Sequence, residues 1–168
     1  MNLILVNIIT FYLAWFACVL GAAHQYLFLG PLAVLVLLGL HFYLLAGYSP
    51  VQEFRLLITA GALGLVLDSL QAFLGVFAFA NVTPGRWVSP LWMVVLWIAF
   101  ATTLHTSLRW LSGKYTLAAV LGAVGGPLSY YSGAKLGALV LSPDLTLSFV
   151  VMAIVWGIAM PILVWLAK

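Results

Sequence analysis

Apolar positions in this chain do not alternate with polar ones; they run together. Six apolar runs, over about 3–22, 28–47, 55–78, 90–110, 116–141 and 146–167, are separated by short polar punctuation. His24 and Gln25 end the first run, and Gly47-Tyr48-Ser49-Pro50 closes the second. Asn81 to Arg86 forms a polar turn, with Pro84 before Gly85 in the order a tight turn prefers. Pro90 opens the fourth run, where a helix tolerates a missing N–H. Arg109 and Lys114 bracket the next loop, Ser142-Pro143-Asp144 precedes the sixth run, and Pro161 is expected to kink it. A helix crossing a bilayer needs ~20 apolar residues. Barrel strands would alternate over ~10 residues instead. The pattern predicts an all-α fold, a polytopic bundle of six transmembrane helices forming one integral membrane domain over 1–168. No internal repeat and no low-complexity segment stands out.

Composition agrees. Of 168 residues, 66% are hydrophobic and 5% charged, whereas soluble domains carry roughly 25% charged residues. Mean hydropathy is +1.24. A net charge of +3 without a basic stripe excludes nucleic acid as a partner. The single cysteine, Cys18, excludes an intrachain disulfide. Trp15 stands where a lipoprotein signal wants leucine. Gly21-Ala22-Ala23 resembles a signal cleavage site, but no Lys or Arg precedes the first run, so a retained first helix is expected.

The basic residues orient the bundle. Arg55, Arg109, Lys114 and Lys168 fall on one side, against Arg86, joined by Lys135 if it snorkels, on the other. Positive charge favours the cytoplasmic side, so both termini are expected there, in a bacterial inner membrane. Tyr26, Tyr48, Trp87 and Trp110 lie near helix ends, as interfacial aromatics do.

Polarity enters the apolar runs at a few places. At ~100° per residue, Gly61, Gly64, Asp68, Gln71 and Gly75 share one arc of the third run, while Leu63, Leu67, Leu70 and Leu74 lie away from it. A mid-membrane charge costs at least ~2.5 kcal/mol, so Asp68 must face inward. Two readings stand side by side: a ligand site, or interhelical hydrogen bonding by Asp68 and Gln71. On the fifth run Gly122, Gly126, Tyr130, Gly133 and Gly137 share a face, the small-residue spacing that packs helices closely. Pro127 is expected to kink that helix and free a carbonyl for Ser129 or Ser132. Lys135 either snorkels or pairs with Asp68. The ligand-binding or structural polar core is therefore Asp68, Gln71, Tyr130 and Lys135. The packing glycines are Gly61, Gly64, Gly122, Gly126, Gly133 and Gly137.

At the cytoplasmic side His41, Glu53, His105 and Arg109 form a polar cluster, with Thr102 on the face of His105 and Arg109. Two histidines without ligand spacing do not make a metal site. His24, Gln25, Arg86, Trp87 and Asp144 are expected to form an outer polar rim. No G-x-S-x-G, H-E-x-x-H, P-loop or C-x-x-C motif is present. No catalytic residue, metal or cofactor is expected. Asn81-Val82-Thr83 matches a glycosylation sequon, discounted because Pro84 follows and the chain looks bacterial.

Four stretches carry a resemblance. They are Gly64-Leu-Val-Leu-Asp68-Ser69-Leu70; Pro90-Leu91-Trp92-Met93 with Trp97 and Phe100; Ser107-Leu108-Arg109-Trp110; and Gly122-Ala-Val-Gly-Gly126-Pro127-Leu128-Ser129-Tyr130-Tyr131-Ser132-Gly133-Ala134. With them the chain resembles, over nearly its whole length, a family of uncharacterised proteobacterial inner-membrane proteins. The resemblance implies six membrane helices and a gene neighbourhood of fatty-acid-modifying enzymes, and no activity. In size and helix count alone the chain is similar to the substrate-binding subunits of vitamin transporters and to the rod-shape scaffold protein.

Three functions follow as expectations. The first is a non-catalytic accessory or scaffold subunit in the envelope or in membrane-lipid metabolism. The second is a small-solute or lipid-binding carrier component, and the third a lipid-modifying enzyme using His105, His41 or Asp68 as acid or base. The expected partners are membrane lipids and a membrane protein or a second copy of the chain.

Overall fold

A computed structural model describes residues 2–44, 49–80 and 87–168. The elements are α1 (Leu3–Ala23), α2 (Leu29–Leu44), α3 (Pro50–Phe73), β1 (Phe77–Phe79), α4 (Leu91–Ala101), a 3-10 turn (Arg109–Leu111), α5 (Tyr115–Lys135), β2 (Leu139–Leu141) and α6 (Leu145–Leu166). Helices α1, α3 and α6 are long and apolar enough to cross a bilayer. Tyr48 and the turn from Asn81 to Arg86, with the sequon in it, lie outside the described residues.

Local chemistry sets the starts. The Asn2 side chain accepts from the backbone N–H of Ile4 at 3.1 Å and caps α1. Pro50 opens α3 at its first position. Asp144 accepts from the Leu147 N–H at 3.0 Å and caps α6.

Three helix ends differ from the sequence reading. The fourth run leaves the helix at Ala101, not near 110. The hydroxyls of Thr102, Thr103 and Thr106 donate to the carbonyls of Ala99, Phe100 and Thr102 at 2.7, 2.6 and 2.8 Å. Such back-bonding competes with the helical ladder, and a series of turns replaces it. The third and fifth runs end as helices at Phe73 and Lys135, not at 78 and 141. Gly75 and Gly137 take φ values of +72° and +90°, and each end closes in the same motif. Val76 N–H donates to the Gln71 carbonyl and Ala138 N–H to that of Gly133, both at 3.0 Å. Gly137 is therefore a helix stop and not a packing residue. Pro127 and Pro161 both lie inside unbroken helices.

Beyond those glycines come strands, where the sequence reading expected none. β1 and β2 pair antiparallel, Phe77 with Leu141, Ala78 with Val140 and Phe79 with Leu139. The ribbon is tied to α6 by the Ser148 hydroxyl, which donates to the Val76 carbonyl at 2.7 Å.

The two halves correspond, so the chain does contain an internal repeat. Gly64 and Gly126, Asp68 and Tyr130, and Gly75 and Gly137 are each 62 positions apart. The same step maps β1 onto β2, and the strand register is symmetric about the Ala78–Val140 pair. A helix–Gly–strand–helix unit, α3-β1-α4, recurs as α5-β2-α6.

Each unit uses a glycine to seat a tryptophan. A Cβ on Gly64 would fall 2.2 Å from Trp97 Cγ, and one on Gly126 2.2 Å from Trp156 Cγ. The two indoles stack, with centroids 4.4 Å apart and planes at 16°. Gly122 lets α5 meet the Trp156 carbonyl and Met160, and Gly61 meets Ile98. Around Gly133 there is ordinary room, the nearest atom being Leu139 Cδ1 at 3.6 Å. Gly30 lies against Cys18 and closes α1 on α2.

Gly64→Ala and Gly126→Ala should each cost about 1–3 kcal/mol, the usual penalty of overpacking. Gly125→Ala, whose added methyl meets open space, should not. Thermal unfolding of the three variants in the same detergent checks this order.

Candidate functional site, an aromatic cleft backed by a buried carboxyl

Helix α5 shows two faces. Gly122, Gly126, Tyr130 and Gly133 are buried. About a third of a turn away, Leu121, Gly125, Leu128, Ser132 and Lys135 form a second stripe at i, i+4, i+7 spacing. This stripe borders a cleft of about 960 Å³. Phe11, Tyr12, Trp15 and Phe16 of α1 form the facing wall. Met93, Trp97 and Phe100 of α4, with Trp156 and Met160 of α6, form the floor. The volume is at the upper end of the ~300–1,000 Å³ of small-molecule sites. Rim residues Tyr12, Phe16, Leu121 and Leu128 are exposed, so the cleft opens sideways between α1 and α5. One hydrogen bond bridges it: Trp15 Nε1 donates to Ser129 Oγ at 3.0 Å.

Behind the floor lies the polar core expected from α3. Asp68 is wholly buried. Its Oδ1 accepts from the Tyr130 hydroxyl and, at 3.5 Å, from Gln71 Nε2. Its Oδ2 accepts from Trp97 Nε1 at 2.8 Å. Three neutral donors from α3, α4 and α5 thus satisfy one carboxyl. Trp97 and Tyr130 line the cleft, whereas Asp68 and Gln71 do not; they hold the cleft wall from behind. The Trp156 indole N–H and Gln71 Oε1 are buried with no partner in hydrogen-bonding geometry among the described residues.

The expected ion pair of Lys135 with Asp68 does not form. Lys135 is exposed at the end of α5, its ammonium 5.3 Å from the centroid of the Tyr131 ring. The expected bridging of a carbonyl freed by Pro127 does not form either. Ser129 faces Trp15, and Ser132 donates to the Leu128 carbonyl at 2.8 Å.

His41, Glu53 and His105 do converge. Glu53 is buried between the two imidazoles, His41 Nε2 lying 2.7 Å from Oε1 and His105 Nδ1 meeting Oε2. His105 Nε2 faces the Ala167 carbonyl at 2.9 Å. With Glu53 as the carboxylate, both His105 nitrogens face acceptors, an arrangement that favours the doubly protonated ring. The cluster ties α2, α3 and the turns after α4 to the end of α6. Arg109 sits exposed at its edge. Thr102 is turned away, toward Asn7, whose amide donates to the Thr102 carbonyl at 3.2 Å. Among the described residues no group of His, Cys, Asp or Glu has the arrangement of a metal site. His24, Gln25, Trp87 and Asp144 are exposed, as an outer rim requires, and Arg86 lies outside the described residues.

Sequence reasoning missed the cleft. Its signal was the second stripe of α5, which grades from Leu121 to Lys135, and the Phe11, Tyr12, Trp15, Phe16 spacing on α1.

Fold and site together define an all-helical protein with membrane-compatible helices and a side-opening aromatic cleft. The chain matches the family model "Protein of unknown function (DUF2878)" over residues 4–162 and belongs to that family. No curated protein and no solved structure matches it.

Asp68→Ala should strand the Tyr130 and Trp97 donors and destabilise the protein by about 1–3 kcal/mol for each orphaned group. Unfolding of the variant in mixed micelles measures the loss. Glu53→Gln should cost on the order of 3 kcal/mol by leaving the His105 cation unpaired. Faster proteolysis at the Ala167 end of α6 would report it.

Proposed function

We propose that this chain is a multi-pass inner-membrane protein that holds one hydrocarbon chain of a lipid in the α1–α5 cleft, as a non-catalytic lipid-binding subunit. The observation that carries this reading is the cleft itself: a large aromatic trough whose mouth is rimmed by exposed apolar side chains. In a bilayer such a trough is filled from the side, by acyl chains already in contact with its rim. The cleft favours the lipid-binding reading over a bare scaffold.

Six spans are supported by the six helices and the recurrence of the helix–strand–helix unit, with α4 prolonged by its threonine turns. Cytoplasmic termini are supported at the opposite end from Lys135. There Lys168 lies over the Tyr115 ring at 5.0 Å and Lys114 over Trp110 at 5.4 Å. These contacts gather basic residues and an interfacial tryptophan on one side. The exposed apolar faces of α2, with Leu32, Leu35 and Val36, meet lipid, a membrane protein partner or a second copy.

The Asp68 hydrogen bonds support the structural one of the two readings left open by the sequence. They fix Trp97 and Tyr130, which line the cleft.

A fatty-acyl probe carrying a mid-chain diazirine, photolysed with the protein in detergent and mapped by mass spectrometry, tests the proposal. Labels should concentrate on α1 and α5, near Trp15 and Leu128. Gly125→Trp, which places an indole in open cleft space, should remove most of them without unfolding the protein. Labelling spread evenly over outward residues such as Val36 and Ile154, and unchanged in the variant, would refute it.

A further inference from the structure

The cleft is not the same at its two ends. One end is closed by Leu108, Leu111 and Met160. The other carries Ser132 and Lys135. From Leu121 to Lys135 the α5 stripe spans ~21 Å at 1.5 Å per residue. An extended chain advances roughly 1.25 Å per methylene, so about 16–17 carbons fill that length.

Among the described residues Lys135 is the one Lys or Arg lining the cleft, and no Asp or Glu lines it. Among the described residues the ion pairs are those of Glu53 with His41 and His105, at the other end of the molecule. Lys135 is exposed, with its ammonium over the Tyr131 ring and no hydrogen bond or ion pair to another of the described residues. One turn and a half below it, Ser129 Oγ accepts the Trp15 N–H, and its own hydroxyl proton meets no acceptor among the described residues. A cation and an uncommitted hydroxyl therefore sit at the mouth end of an otherwise apolar trough.

Resting on the lipid-binding reading above, we infer that the cleft selects a single-chain lipid with an anionic headgroup, carboxylate or phosphate. The headgroup is paired to Lys135 at the outer end and the tail runs inward to Leu111. A charge-assisted contact of this kind adds to affinity by about tenfold or more. The apolar remainder of the site accepts any chain of the right length and gives no headgroup preference of its own.

Binding of hexadecanoate, hexadecyl phosphate, hexadecanol and inorganic phosphate to the purified full chain in an uncharged detergent separates these contributions. The two anionic chains should bind about tenfold more tightly than hexadecanol, and the tighter of them names the headgroup. Inorganic phosphate alone should not bind. Lys135→Gln should bring the anionic chains down to the level of hexadecanol, Lys135→Arg should keep the preference, and Gly125→Trp should abolish binding of all the chains. Equal affinities in the unmodified protein, with Gly125→Trp still blocking, would overturn the headgroup inference and leave the cleft reading intact. A preference that survives Lys135→Gln would overturn it as well. No binding of any chain would overturn the cleft reading itself.

Discussion

A carboxyl group buried in apolar surroundings must have each oxygen satisfied, because no water is present to do it. Asp68 meets this requirement with donors from three helices: Gln71 from its own, Trp97 from α4 and Tyr130 from α5. Membrane helices have little hydrophobic driving force to hold them together, so such a directional knot decides which helices pack and at what rotation. Removing the knot would loosen two interfaces at once, α3 with α4 and α3 with α5. It also fixes two aromatic residues, Trp97 and Tyr130, that line the cleft.

The glycines complete what the carboxyl begins. An indole is too large to fit between close helices unless the facing position has no Cβ. Gly64 and Gly126 provide that space for Trp97 and Trp156, and the stacked rings then fill the region between the two repeated units. Each indole is held between a glycine on one face and the other indole on the opposite face. That combination makes a rigid apolar trough, which loses little conformational entropy when a chain enters it.

Much of this was written in the sequence at short range. The arc of Gly61, Gly64, Asp68 and Gln71 follows from helical periodicity, and those four residues are buried. The meeting of His41, Glu53 and His105 follows from placing each at the same depth. What was not legible depends on competition or on distance. The early end of α4 comes from threonine hydroxyls outcompeting the backbone ladder, an effect invisible to hydropathy. The ribbon after Gly75 and Gly137 was hidden because short apolar strands look like continued helix. The repeat was missed because aspartate in one unit answers to tyrosine in the other. Lys135 was offered an ionic partner on depth alone, but Asp68 was already saturated by neutral donors. The cleft needs α1 beside α5, a pairing no local pattern encodes.

The ribbon of β1 and β2 has a further meaning. Its register maps onto itself about the Ala78–Val140 pair, so each strand could be swapped for the other without changing the pairing. A helix–strand–helix segment with that property is complementary to its own twin. The four helices from α3 to α6 are thus two related units joined through one symmetric ribbon.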